Sequence, residues 1–287
     1  MNSDLCDTVT QYFKEELALA GYSFHEVEVY WGLSYSQGDG MDFSGTVDRE
    51  GIIRLYSRLV APISKARNER LWNAMCNGAV SVTVNRLRSN YHHYNTMEVE
   101  VEWDEDHLRT DYEFTARQLA RLEDFKNAVE EDVKDISKRL QAEGYKLMEA
   151  CSPIWFGMSR HWTDTHIGNH PATVRKFCRG DFTVEVAMVE NTEYDGYYGD
   201  EDHSEVKRLV AGEVVSYNLR LRILENGDPV FEEWSHGVSD HRKEIRPLAV
   251  ARELLSGARD ALREKAKRLS RFAGIPKAPN PSKHLHI

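Results

Sequence analysis

The chain has 287 residues, of which 41% are hydrophobic and 10% aromatic; this supplies a packed core and argues against global disorder. Its formal charge of −10 is unevenly spread: residues 241–287 hold 12 Lys/Arg against 4 Asp/Glu, and residues 1–240 hold 25 against 43, so a basic end follows an acidic body that repels nucleic acid. No apolar run approaches the roughly 20 residues a bilayer span requires.

The chain opens Met1-Asn2-Ser3-Asp4 without a basic-then-apolar leader, so a cytoplasmic location is expected. Leu5–Ala20 reads as an amphipathic helix, with Leu5, Val9, Phe13 and Leu17 at intervals of four, a cap at Ser3 or Asp4 and a stop at Gly21. Phe24–Leu33 alternates like a strand. Beyond a glycine-rich turn, Met41–Val47 and Ile52–Leu59 read either as two extended segments or as a strand and the start of a helix. Ser64–Met75 is helical.

Val80, Val82 and Val84 then alternate with polar residues, Asn90–Asn95 makes a polar turn, and Met97–Trp103 (MEVEVEW) alternates again. This is a hairpin strand with Met97, Val99, Val101 and Trp103 on one face and Glu98, Glu100 and Glu102 on the other. Tyr112–Glu143 is expected to be one long helix, carried by Leu119, Leu122, Phe125, Val129, Val133, Ile136 and Leu140 and stopped by Gly144.

In the second half, Tyr145–Phe156 (broken by Pro153) and Phe182–Val189 read as extended, and an acidic loop follows at Asn191–Glu205. Val214–Leu224 and Pro229–Trp234 form a hairpin about Asn226-Gly227-Asp228. Pro247–Phe272 closes with a basic helix whose Leu248, Leu255, Ala258 and Leu262 face a core, and 276–287 is a loose basic tail.

The fold expected is α+β: antiparallel hairpins covered by long helices, in an N-terminal lobe over 1–143 and a C-terminal lobe over 144–275. Phe13–Phe24 and Ile136–Leu147 share a helix-Gly-Tyr-strand pattern, with Gly21 matching Gly144 and Tyr22 matching Tyr145. Duplication of one lobe accounts for this, and so does the general liking of helix ends for glycine. Cys6, Cys76, Cys151 and Cys178 are scattered and read as reduced and mostly buried.

The stretch Tyr35-Ser36-Gln37-Gly38-Asp39-Gly40 is the most concentrated polar segment. It is no phosphate cradle, because no Lys or Arg lies between Tyr35 and Asp48 and neither glycine-loop pattern is met. As a plain turn, its glycines supply positive φ and its Asp and Ser bond local backbone. As a binding site, Tyr35, Gln37, Asp39 and Asp42 present a partner-contacting surface. As a divalent-metal site, Asp39 and Asp42 give hard oxygens, which His161, His166 and His170 of a second polar stretch can join for metal-activated hydrolysis. The loop holding Tyr194, Tyr197, Tyr198 and Asp200 has the tyrosine-acid mixture of a surface for basic partners.

The glutamates of MEVEVEW repeat at roughly 6.6–7 Å along a strand, near phosphate spacing in DNA. Arg252, Arg259, Arg263, Lys267 and Arg271 offer nucleic acid a face on the last helix, or are that helix's wet side. No Ser-His-Asp order or Gly-x-Ser-x-Gly elbow occurs.

Trp31–Gly45, WGLSYSQGDGMDFSG, resembles a stretch of uncharacterised proteins encoded by tailed bacteriophages and prophages, matching at Tyr35, Ser36, Gln37, Gly38, Asp39, Gly40, Phe43 and Gly45. The resemblance implies a phage origin, and accessory phage proteins often block host machinery. The expectation is therefore a non-enzymatic protein that needs no cofactor and binds and inhibits a host complex, such as a defence system. A metal-dependent hydrolase or nuclease and a nucleic-acid-binding or DNA-mimic protein are the alternatives.

Overall fold

The structure, a computed structural model, describes residues 4–33, 39–66, 68–87, 97–151, 172–191, 194, 203–241 and 245–272. It is α+β, with two four-stranded antiparallel sheets and seven helices among the described residues. The chain divides into two compact units.

In the first unit, α1 (Asp4–Leu19) buries Leu5, Val9, Phe13 and Leu17 as its spacing predicts. It ends at Gly21, whose φ of +100 suits a left-handed cap, with Tyr22 N–H donating to the Leu17 carbonyl. Strands β1 (Glu28–Gly32) and β2 (Gly40–Thr46) pair next. The open choice over Ile52–Leu59 resolves to helix α2 (Arg49–Leu59). Asp48 caps it by accepting the Gly51 N–H at 2.6 Å, and Glu50 and Arg58 suit its dipole.

Helix α3 (Glu69–Cys76) leads into β3 (Val80–Arg86) and β4 (Met97–Trp103), completing a sheet ordered β1-β2-β3-β4. Burial alternates along β4, with all three glutamates exposed. A short α4 (Glu105–Asp111) follows.

The long helix α5 runs Ala116–Ala150. It starts four residues later than Tyr112, because Tyr112 closes α4 and Glu113 sits at a φ of +50. Its start is a reciprocal cap in which Gln118 accepts the Thr115 N–H at 2.9 Å and Thr115 accepts the Gln118 N–H at 3.3 Å. All seven expected apolar positions are buried, each worth roughly 1.5–3 kcal/mol of transfer free energy.

Gly144 does not stop α5, and Tyr145–Ala150 is helical rather than extended. A boundary at 143/144 thus falls inside a helix. The proposed repeat does not map onto one structural motif either, since Gly21 ends a helix while Gly144 lies within one. A Cβ on Gly144 would lie 2.6 Å from Phe13 Cζ and 2.8 Å from Leu33 Cδ1, so the site takes glycine for want of space. The unit is completed by α6 (His203–Val210), which buries Val206, Leu209 and Val210.

The second unit is a meander of β5 (Ala172–Arg179), β6 (Phe182–Glu190), β7 (Val214–Glu225) and β8 (Asp228–His241), with α7 (Pro247–Phe272) packed on it. Asn226 and Gly227 join β7 to β8 with φ of +52 and +96, the two positive values of a type I′ turn. Val186, Val215, Tyr217, Leu219, Leu221 and Ile223 pack against Ala251, Leu254 and Ala258. Leu248 is exposed rather than part of the core, while Leu255 and Leu262 pack at its margin. None of the four cysteines is in a disulfide, but only Cys151 is buried, and Cys178 is exposed on β5. No helix among the described residues is long and apolar enough to cross a membrane.

Candidate functional site

Three regions of the first unit concentrate polar groups: the base of the β1–β2 turn, a buried carboxylate cluster on α1, and the outer edge of β4. Asp39 and Asp42 mark the first. Asp39 accepts hydrogen bonds from Gln141 Nε2 at 3.0 Å and from the Tyr145 hydroxyl. The Ser137 hydroxyl donates to the Met41 carbonyl. Ser137, Gln141 and Tyr145 are spaced i, i+4, i+8, so one face of α5 grips the start of β2.

Asp42 is 1% exposed and accepts from Arg86 Nε at 3.2 Å, while the Arg86 guanidinium lies 4.4 Å above the Tyr30 ring. Both carboxylates expected to bind a partner or a metal are therefore held by framework partners, and Asp42 presents nothing to solvent. Tyr35 and Gln37 lie outside the described residues, as do Tyr197, Tyr198, Asp200 and the histidines His161, His166 and His170. Tyr194 is described and is buried; its carbonyl accepts from the Thr8 hydroxyl at 3.0 Å, so it belongs to the packing rather than to a display surface. Among the described residues, no three His, Cys, Asp or Glu side chains converge as metal ligands would.

The second region was not expected from the sequence. Glu16 of α1 is buried, and its carboxylate meets Lys207 Nζ at 2.7 Å, His203 Nε2 at 2.8 Å and Arg139 at 2.8 Å. The other nitrogen of His203 faces Glu15 at 2.9 Å, and its ring stacks on Tyr12 at 5.3 Å. Tyr12 donates to Glu143 at 3.0 Å, and Glu143 also meets Arg139. Burial alone would raise the Glu16 pKa; hydrogen bonds from Lys207, Arg139 and His203 together outweigh it and bring it down from 4.5 to about 2. Burial, with Glu143 beside it, pushes the Tyr12 phenol well above its ordinary value.

A folded-state pKa below the unfolded one means that Glu16 stabilises the fold fully above pH 4.5 and loses that contribution as pH falls toward 2. Melting curves of wild type and Glu16→Gln between pH 6 and pH 2 should therefore differ most at the upper end and converge at the lower.

The third region is the outer edge of β4. Glu98, Glu100 and Glu102 stand opposite Asn85, Thr83 and Ser81 of β3, all uncharged, and none makes an ion pair among the described residues. Two clefts lie along this strand. One, of about 580 Å³, is lined by Met97 and Val99 and by the charged Glu98, Glu100, Glu130 and Lys134 among others; the second, of about 680 Å³, by Trp103, Asp104, His107 and Glu123 among others. Val101, Glu102 and Lys126 line both.

On α7, Arg252, Arg263 and Lys267 are exposed, with Arg263 paired to Asp260 and Lys267 to Glu264 of the same helix. This is the solvated face of an amphipathic helix, its charge partly offset from within.

These features define an α+β protein whose buried carboxylates serve the framework and whose exposed acidic row lies on an edge strand. Residues 5–151, just over half of the chain, match the model of a family described as a domain of unknown function, DUF8835, and the chain belongs to that family. No curated protein and no solved structure matches it.

Proposed function

We propose that this is a phage- or prophage-encoded protein that acts by binding: it engages a host protein complex, of a defence or nucleic-acid-processing kind, and inhibits it without catalysis. The observation that carries this reading is the row Glu98, Glu100 and Glu102, three exposed carboxylates with no cation opposite them on β3. Such a row repels polyanions and steers a cationic protein surface toward it. The phage origin and the inhibitory role rest on the likeness of Trp31–Gly45 to phage proteins. The cytoplasm of the infected cell is the matching location.

The test is affinity capture from bacterial lysate with wild type and with Glu98→Lys/Glu100→Lys/Glu102→Lys, each checked by melting. A stoichiometric partner that is held by wild type and lost on charge reversal, with its activity blocked in the complex, is the expected result. Multiple turnover of any substrate by the purified protein would overturn the reading.

A further inference from the structure

We infer that the free edge of β4 is a strand-addition site, which takes an extended segment of a partner protein whose residues alternate between basic and apolar. The inference rests on the binding role above and gives it a mode.

Among the described residues, strand β4 ends its sheet. On β3, the Val82 carbonyl accepts from the Val47 N–H at 2.9 Å, so the Val82 backbone points toward β2. In an antiparallel ladder its partner Val101 is then in a non-hydrogen-bonded pair, with its own N–H and C=O directed away from β3. The register runs unbroken from Val80 opposite Trp103 to Arg86 opposite Met97, so the backbones of Met97, Val99 and Trp103 point outward as well. Among the described residues, β4 makes no backbone hydrogen bond outside its ladder with β3.

Exposed edges are ordinarily blunted by lysine, proline or a bulge, or covered by another element. Met97–Trp103 has no lysine, proline or bulge, and clefts rather than packed side chains lie beside it. Its charges are all negative and all on one face.

That sign selects the occupant. A second copy pairing through β4 would set one glutamate row against another, and like charges directly opposed across strands are destabilising. A lysine- or arginine-bearing strand instead brings each cation beside a carboxylate. Its alternate residues stand opposite Val99 and Val101, beside clefts lined by Met97 and Trp103, by the aliphatic stems of Lys126 and Lys134, and also by the three glutamates with Glu123 and Glu130. Apolar side chains suit those positions. Main-chain bonds hold such a strand, and the alternation sets its specificity.

The probe is a nine-residue labelled peptide of alternating lysine and valine, read by fluorescence anisotropy, with a control of the same composition in two blocks. Binding to wild type is expected to exceed binding of the block control by at least tenfold. Glu98→Lys/Glu100→Lys/Glu102→Lys should weaken it tenfold or more. Val99→Pro should do the same, because it removes an outward N–H and leaves the β3 ladder whole; unchanged melting confirms that the variant folds. Hydrogen exchange should slow at the Val99 and Val101 amides in the complex and stay unchanged at Glu100.

Equal binding of both peptides, full binding by Val99→Pro, or no binding at all would overturn the edge site. If the peptide fails while the lysate partner is still lost on charge reversal, strand addition falls and the binding role stands. Loss of both removes the role itself.

Discussion

Gly144→Val should destabilise the first unit by about 3 kcal/mol, the upper range for overpacking a filled core. Glycine inside a helix normally costs about 1 kcal/mol relative to alanine, so a substitution here would help if space allowed. It does not: a Cβ would lie 2.6 Å from the Phe13 ring and 2.8 Å from Leu33, both buried. The side chain must drive α1 or the Leu33 segment away from α5. Urea denaturation should show the lower midpoint with an unchanged slope, and Gly144→Ala should lie between wild type and valine. A stabilised Gly144→Ala would mean that α1 and α5 do not meet at this position.

Glu16→Ala should cost about 2–4 kcal/mol, from lost charged hydrogen bonds and from cations left facing one another around a buried vacancy. Lys207, His203 and Arg139 all converge on that carboxylate. The cations are about half exposed, with side-chain exposures of 48% for Lys207 and 43% for Arg139, and this solvent contact keeps the cost below that of a fully buried triad. Glu16→Gln should recover part of the loss, because the amide oxygen still accepts from the lysine. Thermal melts at pH 7 check both variants; equal stability of Glu16→Ala and wild type would reduce the cluster to solvent-exposed pairing.

Local signals were readable wherever periodicity and caps coincide. The α5 stripe from Leu119 to Leu140, the alternation of β4 and the Asn226-Gly227 turn each state their structure within one continuous local stretch. The Thr115/Gln118 cap and the Asp48 cap were legible too: the first would have moved the α5 start from Tyr112 to Ala116, and the second would have settled the open choice over Ile52–Leu59.

Gly144 shows the limit of such signals. Its local meaning is a helix stop, and the packing of Phe13 and Leu33, more than 100 residues away in sequence, overrides it. Strand β5 escaped notice because Thr173-Val174-Arg175-Lys176 carries charge where a buried strand would carry apolar residues.

The candidate site was partly visible. The acidic row on β4 follows from alternation, but its open edge depends on sheet order, which pairwise spacing does not contain. Asp42 looks like a free ligand until the fold sets Arg86 beside it. Glu16 offers no sign of its role, because two of its partners lie on α6, within and just beyond a stretch that reads as an acidic loop.

The wide separation of Glu16 from those partners bears on how the chain is made. Glu16 and His203 are 187 positions apart, so at about 5–20 residues per second a ribosome delivers the histidine roughly 10–40 s after the glutamate. During that interval β1–β4 can zip together in chain order and α5 can dock, with Arg139 already at hand. The closing of the carboxylate cluster must wait for α6. Nascent chains released before residue 203 would carry α1 with an under-neutralised acidic end, and such fragments are the ones a cellular protease should clear first.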